Sequence, residues 1–164
     1  METTLNAIRL KGPCSQGWKK LLAHLGKSAA DDEPLSLLTI LDSNGLDDAI
    51  WCLRAVTGHD KEIRLFAVWC ARQVQHLMKD RRSINALDVA ERFANGDATE
   101  EELKAAFAEA WAAANSEANA AAKSVVRGAT WSAVWTASNY VANSVIWAEG
   151  WAAQEDKFRE LISG

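Results

Sequence analysis

The chain has 164 residues, 49% hydrophobic and 24% charged, a balance that supports one globular domain without disulfides or metals. Its formal net charge of -4 carries no global basic excess, which disfavours ordinary nucleic-acid binding. Its apolar runs fall short of the ~20 residues of a membrane span, and no basic region precedes an apolar core near Met1, so neither a transmembrane helix nor a signal peptide is expected.

Strand signals are nearly absent, and helix punctuation is frequent. Ser15 to Gly26 reads as a short helix with Trp18, Leu21, Leu22 and Leu25 on one face. Pro34 suits a first helical position, with Leu35, Leu38 and Leu41 following at helical spacing. Asn44-Gly45 makes a turn, and Leu46 to Val56 forms the next helix, ended by Gly58. Asp60 is expected to cap a longer helix reaching about Lys79, with a stripe of Ile63, Ala67, Cys70, Ala71, Val74 and Leu77. Phe66 and Trp69 widen that stripe, which marks a central element of a bundle. Ser83 opens another helix, stopped by Asn95-Gly96. Thr99-Glu100-Glu101-Glu102 is a capping box, with acidic residues on the positive end of the following helix.

From Leu103 to Ala153 the chain is mostly Ala, Ser, Asn and Trp, with only Lys104, Glu109, Glu117, Lys123, Arg127 and Glu149 charged. Ala loses almost no side-chain entropy in a helix, so long, closely packed helices are expected. One seam runs through Phe107, Trp111, Ala114, Ala118, Ala121 and Val125. Beyond Gly128 two seams lie on roughly opposite faces. The aliphatic one is Val134, Ser138, Val141, Val145, Ala148 and Ala152. The aromatic one is Tyr140, Ser144, Trp147, Trp151, Gln154, Phe158 and Leu161. Trp is common both in cores and in interface anchors, and both readings stand for the tail. The aliphatic face suits internal packing. The aromatic face is the candidate partner interface, carried by Tyr140, Trp147, Trp151 and Phe158.

Catalytic chemistry finds no foothold in the spacing. His24, His59 and His76 lack spaced partners and read as structural or solvated. Cys14, Cys52 and Cys70 are unpaired in pattern, and the latter two sit in apolar helical stretches as small buried hydrophobes. A reducing cytoplasm is the simpler setting. No metal-ligand spacing, phosphate loop or cofactor motif is present, so no catalytic, cofactor-binding or metal residue is expected. A helix-turn-helix reading of Leu35 to Val56 would point Asp47 and Asp48 at phosphate and leave only Arg54 to read bases.

Arg64-Leu65-Phe66-Ala67-Val68-Trp69-Cys70-Ala71-Arg72 is followed by Ala86-Leu87-Asp88-Val89-Ala90-Glu91-Arg92-Phe93-Ala94-Asn95-Gly96, the acidic cap and an Ala-rich tail with periodic aromatics. With Gly12 to Trp18 and Trp51-Cys52-Leu53, this order resembles the Ala-rich helical proteins of bacteriophage and prophage genomes that are related to the immunity-protein helical domain family. The resemblance covers most of the chain and is best over Ile63 to Gly96. The tail departs from it, using Asn, Ser and Trp where the family repeats Ala-Arg-Asp or Ala-Tyr. The resemblance implies an all-helical fold and a bacterial host cytoplasm, and it supplies no catalytic residues.

The expected fold is an all-α bundle of about six or seven helices. A single domain, 1–164, would pair a short-helix part, 1–98, with a long-helix part, 99–164. The expected function is non-enzymatic protein binding by a phage or mobile-element protein that sequesters or inhibits a bacterial partner, such as a defence component. The alternatives are a homo-oligomeric assembly protein and an acidic nucleic-acid mimic that blocks a nuclease or CRISPR effector.

Overall fold

The computed structural model describes residues 1–73, 75–116 and 151–163. It is an all-α bundle, with eight α-helices among the described residues: α1 (Leu5–Leu10), α2 (Ser15–His24), α3 (Leu37–Asn44), α4 (Leu46–Cys52), α5 (Asp60–Gln73), α6 (Arg81–Asn95), α7 (Glu100–Ser116) and α8 (Trp151–Ser163). Two short strands, β1 (Glu2–Thr3) and β2 (Leu35–Ser36), pair antiparallel, with Glu2 opposite Ser36.

Several boundaries differ from the expected ones, each for a local reason. The pairing with β1 keeps Leu35 and Ser36 extended, so α3 starts at Leu37 rather than at Pro34. Ser36 caps it, its hydroxyl accepting from the Leu38 amide at 3.2 Å. Asp60 is the first residue of α5 rather than its cap, because the Ile63 amide already donates to the His59 carbonyl at 3.0 Å. That helix stops at Gln73 and not near Lys79. A 3-10 turn over Gln75–Leu77 follows and delivers Met78 to the interior. Asp80, not Ser83, caps α6 by accepting from the Arg82 amide at 2.9 Å. Ser83 is instead fully buried in its first turn, with a hydroxyl that finds no hydrogen-bond partner among the described residues.

Other signals hold as read. Gly96 ends α6 at φ 84°, a left-handed conformation that favours glycine. The capping box forms reciprocally: the Thr99 hydroxyl accepts from the Glu102 amide at 3.1 Å, and the Glu102 carboxylate accepts from the Thr99 amide at 2.7 Å.

Among the described residues the interior divides into two cores that share α5. The first joins Leu5, Ile8, Leu21, Leu37, Ile40 and Leu53 to Ile63 and Phe66 of α5 and to Phe158 and Ile162 of α8. The second joins Val68 and Ala71 of α5 to Met78, Ala86, Leu87 and Ala90, and to Leu103, Ala106 and Ala110 of α7. α5 therefore holds the central place that its wide apolar arc predicts. α7 and α8 belong to different cores.

On α7 the buried stripe is Leu103, Ala106, Ala110 and Ala113, one residue away from the expected Phe107–Trp111 seam. Small side chains let α6 and α7 approach, and the two rings are left half-buried at the edge, 5.9 Å apart. The rest of that seam from Ala118 onward lies outside the described residues, as do both later seams up to 150.

Candidate docking groove

α5 uses nearly all of its circumference. Ile63, Phe66 and Cys70 enter the first core, and Val68 and Ala71 enter the second. Leu65 and Trp69, one turn apart, belong to neither set of buried residues and stay half-buried. With Leu161 of α8 they help line a groove of about 500 Å³ between α5 and α8, backed by Phe66 and Val68. Its rim is charged: Glu62 and Arg72 from α5, Glu91 from α6, and Lys157 and Glu160 from α8.

The rim charges fall into separate contacts. Arg72 donates to Asp88 at 2.8 Å, to Glu91 at 2.6 Å and to the Gln75 side chain at 2.9 Å, tying α5 to α6. Lys157 pairs with Glu160 at 2.7 Å along α8, and Glu62 lies 3.9 Å from His59. Exposed pairs of this kind contribute about 0–1 kcal/mol each, so they can exchange partners with an incoming molecule at small cost. The groove thus has an apolar floor inside a ring of charges of both signs.

The sequence-derived interface set is not assembled here. Tyr140 and Trp147 lie outside the described residues. Trp151 opens α8, but its side chain also lies outside them. Phe158 is a correction: it is 0% exposed, and its ring meets Phe66 edge-on at 5.5 Å. Gln154 of the same seam is buried too, whereas Ala152 of the aliphatic seam is exposed. At this end of the tail Gln154 and Phe158 of the aromatic seam pack inward, Leu161 of the same seam stays half-buried, and Ala152, the one described residue of the aliphatic seam, faces out. A seam on one helix shows which residues share a face, and only the partner helix decides whether that face is covered. Leu65 was missed altogether. Its signal was its i, i+4 spacing to Trp69, at the edge of the widened Ile63–Ala67–Cys70 stripe.

The remaining candidates have structural placements. Burial pushes the thiols of Cys52 and Cys70 up to about 12, which keeps them protonated and unreactive. Cys14 is exposed at the start of α2, its sulfur accepting from the Gly17 amide at 3.3 Å. His24 and His76 are exposed. The α3–α4 turn is tied to α2. Asn44 donates to the Gly17 carbonyl at 2.9 Å and to Asp48 at 2.7 Å, clamping the start of α4 to α2. A side chain at Gly17 would meet the Asp48 carboxylate at 2.6 Å, so a larger residue there would push that carboxylate aside. Arg54 lies 4.3 Å over the Trp51 ring. Among the described residues no cluster of His, Cys, Asp and Glu could hold a metal ion, and no helix is long and apolar enough to cross a membrane.

Comparison with known proteins finds no family model, no curated protein and no solved structure that matches this chain.

Proposed function

We propose that this chain is a non-enzymatic protein-binding protein whose α5–α8 groove receives an amphipathic helix of a partner. The observation that carries this reading is the half-buried trio Leu65, Trp69 and Leu161 flooring a groove with charges of both signs around it. Helix-in-groove recognition uses apolar anchors at i, i+3 and i+4 against such a floor, with polar residues at the edges. The resemblance to phage and prophage helical proteins supports a setting in the bacterial host cytoplasm. There the chain would sequester or inhibit a host protein, such as a defence component.

The test compares the tagged protein with its Leu65→Glu variant, captured side by side from bacterial lysate and read by mass spectrometry. Leu65 lies outside both sets of buried core residues, so the variant is expected to fold and to lose a protein that the parent retains. Identical retention by both would remove the groove as the binding site. Light scattering on the same pair separates the assembly alternative, because a parent dimer that Leu65→Glu converts to monomer would make the groove a self-interface.

A further inference from the structure

Charge is unevenly placed along this chain. Residues 3–30 hold Arg9, Lys11, Lys19, Lys20 and Lys27 and not one carboxylate, which leaves all 22 carboxylates to the rest of the chain. Folding sorts these cations further. Lys27 is engaged by Asp31 and Glu33, each at 2.6 Å. The Lys20 ammonium lies 3.5 Å from the Asn44 carbonyl. Arg9, Lys11 and Lys19 are exposed and make no ion pair among the described residues.

The corner where α1 gives way to α2 gathers these three cations. Gly12, at φ 72°, turns the chain there, and Leu10 just before it is 86% exposed. Between the helices lies a shallow depression of about 270 Å³, lined by Pro13, Ser15 and the half-buried Trp18, with Arg9 and Lys19 at its edges. The corner thus combines a protruding aliphatic side chain, an indole wall and three unneutralised cations. Its complement is an apolar side chain flanked by carboxylates.

We propose that the α1–α2 corner is a docking surface for an acidic segment of a partner protein. Carboxylates of that segment meet Arg9, Lys11 and Lys19, and an apolar side chain settles between Leu10 and Trp18. A short peptide segment fits better than a nucleic acid or an anionic bilayer. Either of those extended polyanions would also face the acidic remainder of the chain, which repels it. The inference rests on the protein-binding reading and names the partner's charge, but it shares no residue with the α5–α8 groove.

The experiment measures fluorescence anisotropy of a fluorescein-labelled peptide of Glu-Glu-Leu repeats with the full chain over a salt series. Binding is expected to weaken as salt rises. The combined Arg9→Gln, Lys11→Gln and Lys19→Gln variant should lose about tenfold or more in affinity. Leu10→Ser should lose severalfold with the salt slope unchanged. Glu62→Gln and Lys157→Gln, on the groove rim, should bind the peptide as the parent does. Absence of peptide binding, or equal binding by the triple variant, overturns the inference. So does stronger competition from oligo-dT or from phosphatidylserine vesicles than from unlabelled peptide. Loss of peptide binding in the rim variants alone would place the peptide in the groove, which overturns the corner while leaving the groove reading intact.

Discussion

In the first core, Leu37, Ile40, Leu53 and Phe158 fill the space between mostly short helices. In the second, Ala71, Ala86, Ala90, Ala106 and Ala110 line the contact between longer helices, with Val68, Met78, Leu87, Val89 and Leu103 as the larger members. The two solve the same problem by different means. Large side chains gain stability through the area they remove from water, and the short helices they belong to would be marginal alone. Small ones gain it through close helix approach, which leaves little room for any added atom. The first core should therefore be sensitive to removal of volume and the second to its addition.

The largest effect expected from that contrast is at Phe158. Its ring contacts Phe66 and anchors α8 to helices far away in sequence. Phe158→Ala should cost about 3–5 kcal/mol, the usual range for deleting a buried ring. Urea denaturation followed by far-ultraviolet circular dichroism reads it directly. A cost below about 1 kcal/mol would show that the first core does not depend on α8, since fully buried rings do not give so small a value.

The opposite manipulation probes the second core. Ala110 is 0% exposed beneath α6, so Ala110→Leu should destabilise by about 1–3 kcal/mol through overpacking. Ala105→Leu, at an exposed position of the same helix, should be within about 0.5 kcal/mol of the parent. Equal effects at the two positions would contradict close packing of α6 on α7.

These cores also differ in how much of them the sequence discloses. The second is bounded by local chemistry. Gly96 stops α6 and Thr99 with Glu102 starts α7, and each signal acts within four residues of itself. Its buried stripe was misplaced by one residue because Ala106 and Phe107 are both apolar, and bulk was taken as the mark of burial. The first core depends on pairings that leave no local trace. α1 is only six residues long, too short for a periodic pattern, and Leu35–Ser36 are extended because Glu2–Thr3 lie beside them. The groove falls between these cases. Trp69 can be read as part of a wide arc on α5, but Leu65 was not placed in it, and the groove between them and Leu161 is set by where α8 docks. Phe158 was likewise ambiguous, because a ring on a helix seam suits a core and an interface equally until Phe66 is placed against it.

A smaller effect sharpens the account of where the second core begins. Thr99→Ala removes the hydroxyl that accepts from the Glu102 amide and should cost about 1 kcal/mol. Thr99→Ser keeps the acceptor and should recover most of it. Unchanged stability in the alanine variant would show that the Ala-rich helix forms without its cap, held by packing on α6 alone.

The smallest effect is a pH dependence at the same cap. The Thr99 amide, which donates to the Glu102 carboxylate, holds that carboxyl below its ordinary value of 4.5, with a further contribution from Arg92 at 3.3 Å. A carboxyl depressed in the folded state binds fewer protons there than in the unfolded chain around its titration range. Its stabilising contribution is therefore complete above 4.5 and fades as the pH falls through the lower, folded value. Because the site is exposed, the clearest readout is local. The Thr99 amide resonance should follow the protonation of Glu102 with a midpoint below 4.5, and Glu102→Gln should abolish that titration. A midpoint at or above the ordinary value would mean that the reciprocal bond from Thr99 to Glu102 is not maintained in solution. The helix start would then rest on the threonine hydroxyl alone, and the boundary of the second core would be weaker than its hydrogen bonds imply.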